Sequence, residues 1–150
     1  MRVVVQRVKE ASVTAEDYYE SIQKGLVLLV GIYEYTTQQD IHAMAKKLVA
    51  ARIFEDDQQK MNLSIKDVGG SILSISQFTL CADVKKGNRP SFTSAMQPQK
   101  ANQLYEMFND ALINEGLVVK PGVFGADMDI QLINDGPVTI IYDSNEGRIQ

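Results

Sequence analysis

An unbroken apolar run, Gly25-Leu26-Val27-Leu28-Leu29-Val30-Gly31-Ile32, constrains this chain more than any other feature. It carries no polar alternation, so as a strand it must be covered on both faces, at the centre of a sheet. At about eight residues it falls far short of the roughly 20 that a membrane helix needs. A chain of 150 residues, 45% hydrophobic, has enough apolar material to build one core around such a strand. No repeat, low-complexity tract or Pro/Ser linker divides it, so a single domain is expected.

Other elements fall around that strand. Val3, Val5 and Val8 begin a β-branched stretch, and Glu16-Asp17 sits where a hairpin should turn between Ala11–Ala15 and Tyr18–Ile22. Thr37 with Asp40 three residues on is a capping-box signal, followed by Ile41, Met44, Ala45, Leu48, Val49 and Ile53 at helical spacing. Ser71 to Leu80 alternates and predicts a strand with Ile72, Ser74, Ser76 and Phe78 on one face. Pro98 opens a second helix with a stripe of Ala101, Leu104, Tyr105, Phe108, Ala111 and Leu112, and Gly116 stops it. Strands are expected to return at Leu117–Lys120, Met128–Ile133 and Val138–Tyr142, with a turn at Asn134–Thr139 between the last two. Two main helices among some eight strands predict an α+β domain whose mixed sheet curls into an open, barrel-like form over residues 1–145. A frayed tail is expected at 146–150.

Much chemistry is excluded. One histidine, His42, and one cysteine, Cys81, leave no Cys/His metal cage, and no metal or cofactor is expected. His42 lies in the first turn of the predicted helix and reads as a solvated flank residue, so no imidazole serves a Ser-His-Asp arrangement. Cys81, directly after a strand, reads as a small buried hydrophobe. Asp127 and Asp129 lack a third ligand, and Gly122-Val123-Phe124-Gly125 is too short for a phosphate-cradling loop. The net charge of −4 removes any bulk-charge case for nucleic acid, and no DNA partner is expected. Lys85, Lys86 and Arg89 nevertheless put three cations within five residues on a Gly/Pro-punctuated loop, a local feature able to meet phosphates. A lone thiol and the absence of a signal-peptide core at Met1–Arg7 make the cytoplasm the expected compartment.

Two motifs carry a resemblance. Ser76-Gln77-Phe78-Thr79-Leu80 and Asn134-Asp135-Gly136-Pro137-Val138-Thr139 resemble the signatures of the D-aminoacyl-tRNA deacylases, first called D-tyrosyl-tRNA deacylases. Flanking text agrees in order over nearly the whole chain, including Gln6-Arg7-Val8, Arg52-Ile53-Phe54-Glu55, Arg89-Pro90-Ser91-Phe92 and Gly122–Met128. The resemblance implies hydrolysis of the ester between a D-amino acid, or glycine, and the 3′-terminal adenosine of tRNA, by a homodimer with sites at the subunit interface. It makes Gly136-Pro137 a Gly-cisPro element that enters the other subunit's pocket and excludes L-substrates. Ser76, Gln77, Phe78, Leu80 and Phe124 become substrate-binding residues, with the Ser76–Leu80 strand as the opposite wall. Thr79 becomes the catalytic-site residue, the family's proposed nucleophile. A threonine hydroxyl needs a base, and none is evident, so main-chain groups and the substrate's 2′-hydroxyl are expected to assist instead. Arg7, Lys85, Lys86 and Arg89 are the expected tRNA phosphate contacts. Cys81 departs from the tyrosine common after the first motif, and the hairpin at Glu16-Asp17 is short for the family.

Two rival readings keep the same residues. One is a dimeric, non-catalytic module holding RNA ends or adenosine; the other is an acyl hydrolase using Thr79 or Ser76 on small esters.

Overall fold

The computed structural model describes residues 1–150. In chain order it runs β1 (Arg2–Ala15), β2 (Tyr18–Ile22), β3 (Gly25–Gly31), α1 (Gln38–Ala50), β4 (Phe54–Glu55), β5 (Met61–Leu63) and β6 (Ser71–Ser76). A 3-10 turn (Phe78–Cys81) follows, then α2 (Pro98–Asn114), β7 (Val119–Pro121), β8 (Asp129–Asn145) and β9 (Arg148–Ile149). The main sheet is ordered β7-β6-β3-β1-β8-β9, with β2 paired to β1; β4 and β5 form a separate ribbon. β3 pairs parallel with β6, and β6 with β7, while β1 is antiparallel to β2, β3 and β8. The result is the expected α+β domain, a curled half-barrel of mixed strands with two helices. No helix is long and apolar enough to cross a membrane.

β3 sits inside the sheet with both faces covered, as its composition requires. Leu26, Leu28 and Val30 join the larger core with Val3 and Val5 of β1, Ile41, Met44 and Leu48 of α1, and Phe108 and Leu112 of α2. Val27 faces the other way, against Val8, Val13, Leu73 and Ile75 in a second core. Each such side chain contributes about 1.5–3 kcal/mol of transfer free energy. The two long crossovers, β3 to β6 through α1 and β6 to β7 through α2, carry the helices that cover the sheet.

Four expectations are corrected. The Ser71–Leu80 strand ends at Ser76, because β3 ends at Gly31 and offers no further ladder; Phe78–Cys81 winds into the 3-10 turn. Asn134–Thr139 does not reverse the chain. It is a bulge inside one strand, β8, where residues 135–138 lie opposite the single residue Arg7 of β1. The first helix stops at Ala50, so Ile53 is buried from the loop that follows. Finally, the tail is not frayed: Arg148 pairs with Asn145 and Ile149 with Ser144.

Asp40 ties this tail to α1. Its carboxylate, wholly buried, accepts from the Thr37 N–H at 2.9 Å, the Thr37 hydroxyl at 3.1 Å and the Gly147 N–H at 2.9 Å. Burial alone would raise its pKa, but these hydrogen bonds and the nearby Met1 ammonium outweigh it and hold the carboxyl below its ordinary value. A carboxylate depressed in the folded state stabilises fully above its unfolded value, near about 3.9, and loses that effect as pH falls through the folded value. Asp40→Asn should therefore cost about 1–2 kcal/mol at pH 7 in urea titrations, with the gap from wild type closing below about pH 4. A gap that stays constant into acid would contradict this role.

Candidate functional site

Where β6 gives way to the 3-10 turn, a cleft of about 630 Å³ opens. One wall is Ile75, Ser76, Gln77 and Phe78; the facing wall is the segment Phe124 to Met128; Met96, Pro98 and Ala101 at the start of α2 close one end. The lining is mainly apolar, and Asp127 is its one ionisable side chain.

The first wall is pinned by the main chain. The Gln77 N–H donates to the Val30 carbonyl at 2.8 Å, extending the β3 ladder by one bond. Its own carbonyl then accepts from Leu80 N–H at 3.2 Å, and Tyr33 Oη donates to the Leu80 carbonyl at 3.3 Å. At the start of the turn, the N–H groups of Phe78 and Thr79 meet no acceptor within the chain, as the first donors of any helical turn do. Phe78 is 57% exposed at the mouth and packs edge-to-face with Phe92, ring centroids 5.2 Å apart. The Thr79 side chain is exposed, and its hydroxyl accepts from the Gln77 side-chain amide. No carboxylate, imidazole or amine is bonded to it. His42 is exposed on α1, away from the cleft, beside Glu106 and Asp110 of α2. Cys81 is buried, and that burial pushes its thiol up to about 11, so it is an inert hydrophobe.

The second wall is backed by α2. The Phe124 ring lies 6.1 Å from the ring of Tyr105, which is 3% exposed. Burial raises the phenol's pKa against the lowering effect of its hydrogen bonds, so the hydroxyl stays a donor.

Gly136 and Pro137 lie elsewhere, exposed on the β8 bulge, and their peptide bond is cis. Arg7 holds the root of this bulge. Its Nε donates to the Asp135 carbonyl at 3.0 Å and lies 3.5 Å from the Asp135 carboxylate, while its Nη1 donates to the Ile53 carbonyl at 2.8 Å. Glu55 stands 3.7 Å from Nη2. Arg7 is only 2% exposed, which corrects the expectation that it meets phosphate: β1 turns it inward, on the same side as Val3 and Val5. Gly136 has φ +124°, and a Cβ there would lie 3.1 Å from Arg7 Nη2 and 3.1 Å from Val138 Cγ2.

Ser76, Gln77, Phe78 and Phe124 thus share one cleft, while Thr79 and Leu80 follow on the turn beside it. Lys85, Lys86 and Arg89 lie on an exposed loop whose base is closed by paired backbone bonds between Asp83 and Ser91, at 2.8 and 2.9 Å. None of the three has a carboxylate partner in an ion pair. The sequence reading missed Met96, Pro98, Ala101, Met128 and Ile130 as lining; they carry only the apolar signal of any core residue.

Comparison with known proteins places these features in a family context. The sequence model of the D-Tyr-tRNA(Tyr) deacylase family matches residues 4–143. A Macrococcus caseolyticus protein called D-aminoacyl-tRNA deacylase is 66% identical over 149 residues, covering 99% of each chain. A protein of the same name from Staphylococcus carnosus is 60% identical over 149 residues, again with 99% of each chain covered. Among solved structures, one described as a c-Myc DNA Unwinding Element Binding Protein superposes with a TM-score of 0.89 and 40% identity, covering 96% of this chain and 99% of that one. Another, described as a probable eukaryotic D-amino acid tRNA deacylase, gives 0.83 at 17% identity, with 95% and 98% covered; this second likeness bears on the fold alone.

The Arg7 contacts generate a prediction. Arg7→Met keeps apolar volume but leaves the Ile53 and Asp135 carbonyls without their donor, and should destabilise by about 2–4 kcal/mol. Urea unfolding measures this; a loss within about 0.5 kcal/mol, the range of an ordinary surface change, would show that Arg7 does not hold the bulge.

Proposed function

The chain belongs to the D-Tyr-tRNA(Tyr) deacylase family, and from that premise we propose that it hydrolyses the ester joining a D-amino acid, or glycine, to the 3′-terminal adenosine of tRNA. Water adds its oxygen to the acyl carbon and its second proton returns to the ribose oxygen, so the products are the free amino acid and intact tRNA. The observation that carries the reading is the cleft itself: it joins the Ser76–Phe78 wall to Phe124 and has free main-chain donors beside it.

The family's labile ester asks little of a side chain. The unpaired N–H groups of Phe78 and Thr79 are positioned to polarise an ester carbonyl at the mouth, where charge builds up on oxygen as water attacks. The 2′-hydroxyl of the substrate ribose, adjacent to the ester, supplies the remaining polar assistance, and the protein supplies position. Thr79, with no base bonded to its hydroxyl, shapes the turn rather than attacking.

Selection against L-substrates belongs to Gly136-Pro137. These residues project into solvent from β8 and do not line the cleft of their own chain, which supports a homodimer in which each copy's bulge enters the other's cleft. Arg7 holds the bulge steady while its carbonyls occupy the space an L side chain would need. Glycine has no side chain to exclude, so it passes the same filter. The unpaired cations Lys85, Lys86 and Arg89, a few residues beyond the turn, are placed for the phosphates of the acceptor end. The cytoplasm, where charged tRNA is used, is the compartment of this activity.

The test offers D-tyrosyl-tRNA, L-tyrosyl-tRNA and free D-tyrosine esters, and follows amino-acid release. Hydrolysis of the first alone is expected; binding without turnover would favour the non-catalytic module, and turnover of the free ester a simple acyl hydrolase. Gly136→Ala, strained at φ +124° and crowded against Arg7, should lower D-tyrosyl-tRNA hydrolysis by more than about tenfold while the chain stays folded. Retained wild-type rate and selectivity would remove this element from the account. Thr79→Ala should keep most of the activity, whereas loss to background, or a trapped acyl-Thr79, would make it the nucleophile.

A further inference from the structure

Behind the Phe124 wall lies a second cavity of about 400 Å³, lined by Tyr105, Asn109 and Gly122 among others, and Phe124 borders both spaces. A side chain with open volume on each side keeps its place only if something fixes its base. That base is a buried knot at Ser74 of β6, which is wholly inaccessible. The Ser74 carbonyl accepts from Tyr105 Oη at 2.7 Å and from the Gly122 N–H at 2.8 Å, and the Ser74 hydroxyl donates to Asn109 Oδ1 at 2.7 Å. Tyr105 and Asn109 are one helical turn apart on α2, so a single helix face grips one residue of the sheet twice.

The knot sits just before each wall in the chain. Ser76 follows Ser74 by two positions, and Phe124 follows Gly122 by two. At this level little space separates the walls: a Cβ on Gly122 would lie 2.8 Å from Met128 Sδ and 3.0 Å from Ile75 Cδ1. The separation of the Ser76–Phe78 wall from the Phe124–Met128 wall is therefore set where Tyr105 and Gly122 share one carbonyl.

We propose that Tyr105 is a positioning residue for deacylation: its hydroxyl, through the Ser74 carbonyl, fixes the spacing of the two cleft walls and so the placement of the ester against the main-chain donors of Phe78 and Thr79. The inference rests on the reading of the cleft as the deacylation site. Tyr105 touches no reacting atom in this account. Removing its hydroxyl leaves the apolar contacts that bind substrate, so affinity holds, while the Phe124 wall gains room to shift into the cavity behind it. Sub-ångström to 1 Å displacements of this kind cost up to about 100-fold in rate.

The experiment measures steady-state kinetics on D-tyrosyl-tRNA for wild type, Tyr105→Phe and Leu48→Val, with thermal melts of all three. Leu48→Val is a control whose lesion lies on α1, in the larger core. Tyr105→Phe should lower kcat about tenfold with KM within about twofold, and Leu48→Val, equally or more destabilised, should keep kcat. An unchanged kcat in Tyr105→Phe, or the same loss in the control, overturns the proposal. A wild-type protein that leaves D-tyrosyl-tRNA intact overturns instead the reading of the cleft, and the proposal with it.

Discussion

The parallel ladder between β3 and β6 decides where everything else goes. It exists because β3 is apolar on both faces and needs neighbours on both edges and layers on both sides, which only an interior position supplies. Parallel pairing in turn demands a long crossover, and the chain spends it on α1 and the β4–β5 ribbon. When β3 runs out at Gly31, β6 loses its partner one residue later, and the Gln77 N–H makes the last bond. The chain beyond must find its hydrogen bonds locally. It does so in a tight turn whose opening amides stay free, and the cleft is the space beside that turn.

β8 follows another logic. A bulge that sets four residues against one would ordinarily be a weak point in a ladder, because the extra backbone groups lose their cross-strand partners. Here the single residue opposite is an arginine turned inward, and its fork of donors reaches the Asp135 carbonyl and a loop carbonyl together. One side chain thus compensates for an irregular stretch of backbone. The outer part of the bulge, Gly136-Pro137, is left to face solvent.

How much of this was legible in the residues varied with the kind of force at work. β3 was legible because continuous apolarity has one cheap solution, and α1 because Thr37 and Asp40 perform a local act that needs no tertiary partner. Phe78 and Thr79 misled because their strand propensity is real; it lost to the absence of a neighbouring strand, which no local pattern records. Asn134–Thr139 misled in the opposite way: its turn chemistry bends the backbone as predicted, but the ladder resumes at Thr139 on the same partner strand. Arg7 read as a surface cation because its strand parity becomes visible only once β1 is paired. The cleft motif was legible through family likeness, whereas Met96, Met128 and Ile130 were not, since an apolar side chain lining a cleft looks the same in sequence as one filling a core.

The pairing of β1 with β8 also has a history in time. β1 is synthesised well before β8, its antiparallel partner along nearly its whole length, with Arg2 against Asp143 and Thr14 against Asp129. Until β8 emerges, β1 has one edge satisfied by β2 and β3 and the other open, with Val3, Val5 and Val8 awaiting part of their cover. At roughly 5–20 residues per second, that interval lasts several seconds or more. Closure over so long a stretch of chain is also entropically slow once synthesis is complete. The polar residues interspersed along β1, among them Arg2, Gln6, Ser12 and Thr14, break its apolar run and lower its tendency to pair with a foreign strand in that interval. A fold that carries its solvent-facing bulge on β8 completes that bulge only after every other long strand has been made.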